Sequence, residues 1–165
     1  MALLEQELDT IDNESLECEN EENIIYGFMD RYDVNYDEAK EIFEETKKWL
    51  YLASKSEDSV FIDKPLQIID EMWHTFILHT RQYYDFCLTN FKKLIHHQPT
   101  PRYEKEAFAL ALEANPTRLM SEHEEKMKKQ FSLIYDHLGP KTLMKWYETL
   151  PQKYSSEYIN SIKKA

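Results

Sequence analysis

Glycine is almost missing from this 165-residue sequence, which has 2 glycines, 6 prolines and 2 cysteines. So little glycine leaves scant material for hairpins or phosphate loops. No G-x-G-x-x-G, P-loop or G-x-S-x-G pattern occurs, which argues against a nucleotide site of the usual kinds. The two cysteines lie in unlike contexts, Cys18 among acids and Cys87 among aromatics. They make no disulfide framework, and a cytosolic, cytoplasmic chain is expected. No apolar run approaches the ~20 residues of a membrane span. The N-terminus has acids where a secretion signal needs bases.

Bases are absent from the first 30 residues, which carry 10 acids and no Lys or Arg. From Arg31 onward 21 acids face 20 bases, so the net charge of −11 belongs almost wholly to the N-terminal segment. An acidic segment on an electrically balanced body disfavours nucleic acid as a partner, since such binding needs a basic surface. No membrane partner is expected either. Residues 1–23 read as an acidic, partly flexible arm, with the basic C-terminal residues Lys153, Lys163 and Lys164 as one place where it could dock.

What the chain does contain is Glu, Lys, Leu and aromatics, the composition of an all-α protein. Residues 24–165 read as one compact bundle of about six or seven helices. Ala39, Ile42, Phe43, Thr46, Trp49, Leu50 and Ala53 recur at helical spacing, so an amphipathic helix is expected over Tyr36–Ser54. Shorter helices are expected at about Glu22–Tyr32, Tyr103–Glu113, Glu122–Leu138, Lys141–Leu150 and Tyr154–Ile162. Gly139-Pro140 is expected to stop one of them.

The unusual chemistry lies between Pro65 and Pro99. As a helix, Pro65–Leu78 puts Leu66, Ile69, Trp73, Phe76 and Ile77 on one apolar arc, with Asp70 inside it. His74 is one turn beyond Asp70, so the two side chains can touch. A carboxylate forced among apolar groups costs roughly several kcal/mol unless it is paired or protonated, so Asp70 needs a partner and His74 is the nearest candidate. Thr80 reads as the cap of a second helix, Arg81–Phe91, which carries Tyr83, Tyr84, Phe86 and Cys87. His96-His97-Gln98-Pro99 follows.

The pattern D-x-x-W-H-x-F-x-L-x-T-x-x-Y-x-x-F-C from Asp70 to Cys87, followed by H-H-x-P at 96–99, resembles bacterial relatives of the glycine-rich domain-containing protein-like family. In those proteins an Asp–Trp–His cluster, a Tyr, a Cys and a later His recur. The resemblance implies a helical domain without an assigned activity. The glycine-rich segment is absent here, and Phe76 stands where a second motif histidine would fall.

Two readings of the cluster follow. In the first, preferred on sequence, Asp70, His74, Tyr84 and Cys87 form a structural polar cluster, with Tyr84 or a backbone carbonyl satisfying the second His74 nitrogen. The protein is then a small binding or regulatory module acting on a protein partner. In the second, Asp70, His74 and His97 are three ligands of a zinc or iron centre with an open position, and the chain is a metal-dependent enzyme. A Cys87–His97–Asp70 nucleophilic arrangement ranks below both.

Overall fold

The computed structural model describes residues 16–56 and 60–165. Among these residues it is all-α, with seven main helices, a short helical turn at Leu150–Lys153 and no strand. The main helices are α1 (Glu21–Arg31), α2 (Tyr36–Ser56), α3 (Gln67–Leu78), α4 (Thr80–Phe91), α5 (Arg102–Ala114), α6 (Pro116–Met144) and α7 (Ser156–Ile162). No described helix is long and apolar enough to cross a membrane.

The 3.6-residue repeat of α2 explains the centre of the fold. Ala39, Ile42, Phe43, Thr46, Trp49, Leu50 and Ala53 are all buried, and α1, α3 and α6 pack against that helix. Three aromatics, Phe43, Trp49 and Trp146, are almost fully enclosed, and Trp49 lies 5.9 Å from Trp146 and 6.4 Å from Trp73 between ring centroids. Enclosing an aromatic or branched side chain stabilises a fold by about 1.5–3 kcal/mol each, so this cluster carries much of the packing energy.

The body starts earlier than charge suggests. Residues 1–15 of the expected arm lie outside the described residues, but Leu16 is buried and Asn90 brackets the Glu17 backbone at 3.3 and 2.9 Å. Lys47, itself buried, reaches the Leu16 carbonyl and sits 3.6 Å from Glu21 and 3.0 Å from Glu44. The described end of the acidic segment thus docks on Lys47, because a buried ammonium needs carboxylates around it. Lys163 and Lys164 serve otherwise. They pair by backbone with the end of α1, through a Tyr32–Lys163 bridge and the Lys164 N–H to Arg31 C=O bond of 2.8 Å.

One expected boundary shifts and another holds. Helix α6 begins at Pro116, where Asn115 accepts a hydrogen bond from the Arg118 N–H at 3.1 Å, so Asn115-Pro116 starts this helix as well as ending α5. Gly139, with a non-helical backbone (φ 85°, ψ 169°) that suits glycine, divides α6 into two helical stretches, so Gly139-Pro140 stops the first as expected and Pro140 opens the second. A π-helical turn at Lys145–Thr149 then seats Trp146 in the core.

Helix α5 buries none of its residues. Tyr103, Phe108, Leu110 and Leu112 are exposed on it.

Candidate functional site

Helix α3 is wrapped on several sides. Ile68, Ile69, Met72, Trp73, Thr75 and Phe76 are buried, which leaves one narrow polar strip of Asp70, Glu71 and His74. Asp70 is therefore not sunk in the apolar arc as the sequence suggested. Its side chain keeps 25% exposure and opens on a cavity. Phe76, in the place of the second motif histidine, is a fully buried core residue.

The third member arrives from the segment after α4. Lys92 adopts a left-handed conformation (φ 61°) that ends α4, with its N–H bonded to the Leu88 carbonyl at 3.1 Å. Beyond it, Ile95 is buried, His96 exposed and His97 largely enclosed. This is the in–out–in alternation of extended chain. Tyr83 fixes the segment: its hydroxyl donates to the Ile95 carbonyl and accepts the Trp73 indole N–H at 3.0 Å. The His97 ring then packs edge-on against Trp73, at 4.3 Å between centroids.

Asp70 Oδ1, His74 Nε2 and His97 Nε2 consequently converge. His97 is 2.7 Å from Asp70, His74 is 3.1 Å from His97, and His74 is 3.6 Å from Asp70. The partner of Asp70 is thus His97, not His74. An adjacent turn of helix brings His74 near, but the rigid segment 92–99 delivers His97 closer. The other expected members of a polar cluster lie elsewhere. Tyr84 is 52% exposed on the outer face of α4, one position from the tyrosine that faces inward, and does not reach His74. The Cys87 thiol is fully buried in the core, which closes it to any substrate and removes the nucleophilic arrangement.

Simple two-centre hydrogen bonds satisfy only one of the two His97 Nε2 contacts at a time. An imidazole nitrogen has one in-plane position, filled by a proton or by a lone pair. A proton on His97 Nε2 satisfies Asp70 but leaves the His74 nitrogen facing an already committed N–H. A lone pair there accepts from His74 but confronts a carboxylate oxygen at 2.7 Å. Donors bound at 2.0–2.2 Å to one ion stand about 2.8–3.6 Å from one another in tetrahedral or octahedral geometry; the His74–His97 and His74–Asp70 separations fall in that range, and the His97–Asp70 separation of 2.7 Å lies just below it. No other group of three or more His, Cys, Asp or Glu among the described residues has this convergence.

A second layer supports the cluster, and sequence reasoning missed it. Glu71 Oε2 lies 3.7 Å from His74 Nδ1, so His74 turns its other nitrogen to the cluster. The same oxygen accepts the Tyr32 hydroxyl at 2.6 Å and lies 3.8 Å from Arg31. Burial, followed by the bond to Glu71, pushes the Tyr32 phenol well above its usual range. The one signal in the sequence was the i, i+3 spacing of Glu71 and His74. Tyr32 and Arg31 join from α1, and nothing local announces them.

The cluster forms one wall of a cavity of about 570 Å³. Trp49, Ala53, Trp73 and Ile95 line its inner side, and Val60, Phe61 and Ile62 its outer rim. That rim is clamped. The buried Gln130 side chain accepts from the Phe61 N–H at 2.8 Å and donates to the Phe61 carbonyl at 2.9 Å. Of the remaining histidines, His96 lines the same cavity, His123 and His137 belong to α6, and His79 bonds the Thr75 carbonyl at 2.9 Å.

Fold and cluster together describe an all-α protein with a two-imidazole, one-carboxylate group at the wall of a cleft. The family model described as UCP032817-like matches residues 21–111, more than half of the chain, and the chain belongs to that family. All three converging residues fall within the matched span. Comparison with curated proteins and with solved structures gives no match.

Proposed function

We propose that this protein is a metal-dependent enzyme whose centre is formed by Asp70, His74 and His97, with zinc or iron as the metal. The observation that carries this reading is the mutual approach of three N and O donors at the wall of a cavity large enough for a small molecule. Three protein ligands leave at least one coordination position open, the arrangement of catalytic rather than structural centres. A metal held there supplies Lewis acidity and lowers the pKa of a bound water. Asp70 contributes the single negative charge among the ligands. Glu71 and Tyr32 orient His74, while Tyr83 and Trp73 hold His97 in place. The resemblance of the Asp70–Cys87 and His96–Pro99 motifs to relatives of the glycine-rich domain-containing protein-like family is consistent with a site at these residues.

The test is metal analysis of protein purified without a histidine tag, on the wild type and on His74→Ala. Near-stoichiometric zinc or iron that is lost in the variant supports the proposal. Absence of metal, together with a large drop in melting temperature in the variant, assigns the cluster a structural role. A second reading is then favoured by the exposed apolar residues of α5: a binding or regulatory module acting on a protein partner.

A further inference from the structure

The cavity beside the cluster has a chemical character of its own. Among the described residues that line it there is no Lys and no Arg. Among the same described residues the only carboxylate is Asp70, already engaged by His97. Trp49, Trp73, Phe61, Ile62 and Ile95 supply apolar lining, and His96, Gln98 and Thr100 add polar groups beside the cluster. A charged group on the part of a ligand that lies away from the centre, against this apolar lining, meets no Lys or Arg, and losing its hydration there is costly. An aromatic or branched apolar group, by contrast, leaves water for indole and aliphatic surface.

The walls also have a fixed shape. Gln130 holds the Phe61 backbone through two bonds, and its amide donates to the Tyr147 hydroxyl at 2.8 Å as well. Tyr83 holds Ile95 and Trp73 on the opposite side. The cleft is thus pre-formed, which lowers the ordering cost of taking up a ligand.

We infer that the substrate is a carbonyl compound with an uncharged aromatic or branched apolar body, which lies against Trp49 and Phe61 and presents its oxygen to the centre at Asp70, His74 and His97. This rests on the metal reading above. It excludes substrates that carry a charge on that body, away from the reacting group.

The experiment has two stages. Zinc alone is first titrated by calorimetry into the full chain. Zinc-loaded protein is then titrated with acetohydroxamic acid, benzohydroxamic acid and 4-carboxybenzohydroxamic acid, with tryptophan fluorescence as the readout because Trp49 and Trp73 line the space. Benzohydroxamate is expected to bind at least about tenfold more tightly than acetohydroxamate, since burying a ring removes substantial apolar area from water. The carboxylated compound should lose most of that gain. In Val60→Arg, checked first with zinc alone, the carboxylated compound should become the preferred one of the two aromatic probes. Zinc uptake with equal affinity for all three hydroxamates overturns the substrate class and leaves the metal centre standing. Failure to take up zinc overturns the metal centre itself, and this inference with it.

Discussion

Substituting His97 by Ala should abolish the stabilisation that the protein gains from zinc. The magnitude follows from the ligand count. Structural zinc with four ligands is bound with about 10–16 kcal/mol, or roughly 2.5–4 kcal/mol per ligand. Losing one ligand then weakens affinity by about two to three orders of magnitude. A ligand that binds only the folded state stabilises it by RT ln(1 + [L]/Kd), about 2.7 kcal/mol at a hundred times Kd. For a chain of this size each kcal/mol raises Tm by about 2–4 °C, so the wild type should gain about 5–11 °C. At the same free zinc the variant sits at or below its own Kd, gains at most about 0.4 kcal/mol and shifts by less than about 2 °C. Differential scanning fluorimetry in buffered zinc measures both curves. Asp70→Asn should behave like His97→Ala, because it removes the charge yet keeps the shape. Equal zinc shifts in wild type and both variants would refute the reasoning, since the metal would then bind elsewhere. No shift even in the wild type would leave the three contacts as a protein-only network.

Tyr83→Phe leaves the Trp73 indole N–H and the Ile95 carbonyl without their shared hydroxyl. Unsatisfied buried polar groups cost about 1–3 kcal/mol each, so urea unfolding should show a loss of about 2–4 kcal/mol, and a loss under about 0.5 kcal/mol would contradict the assigned role. Burial raises the carboxyl pKa of Asp63, beside the cavity rim, above its ordinary value. A raised acid holds its proton more tightly in the folded state, so its penalty is absent below the unfolded pKa of about 3.9 and complete above the folded value. Asp63→Asn should therefore gain stability relative to the wild type as pH rises from 3 to 7, and a gain that shrinks over that range would show the sign to be wrong. Burial, followed by Glu21, pushes the Cys18 thiol up to about 12. At pH 8 its alkylation should run about a thousandfold slower than that of an ordinary cysteine; ordinary iodoacetamide kinetics, followed by mass spectrometry, would count against that burial.

What the sequence determined by itself was whatever rests on local periodicity and composition. The repeat through Ala39, Phe43, Thr46 and Leu50 specified α2 and its buried face, because 3.6 residues per turn places them together whatever surrounds them. Asp70 and His74 were legible as neighbours for the same reason. His97 could be named as a third candidate from its residue type and its place after the basic run. Its closeness to Asp70 was decided only in three dimensions, by the end of α4 at Lys92 and the hold of Tyr83 on Ile95. The identity of the inward tyrosine, Tyr83 rather than Tyr84, depended on how α4 rolls against α3, and adjacent positions on a helix differ by about 100°. Glu71, Tyr32 and Gln130 gained their roles from partners 3 to 69 positions away, chiefly on other elements. The exposure of α5 was likewise invisible in its pattern, since an apolar helix face records that something can cover it and not whether this chain does.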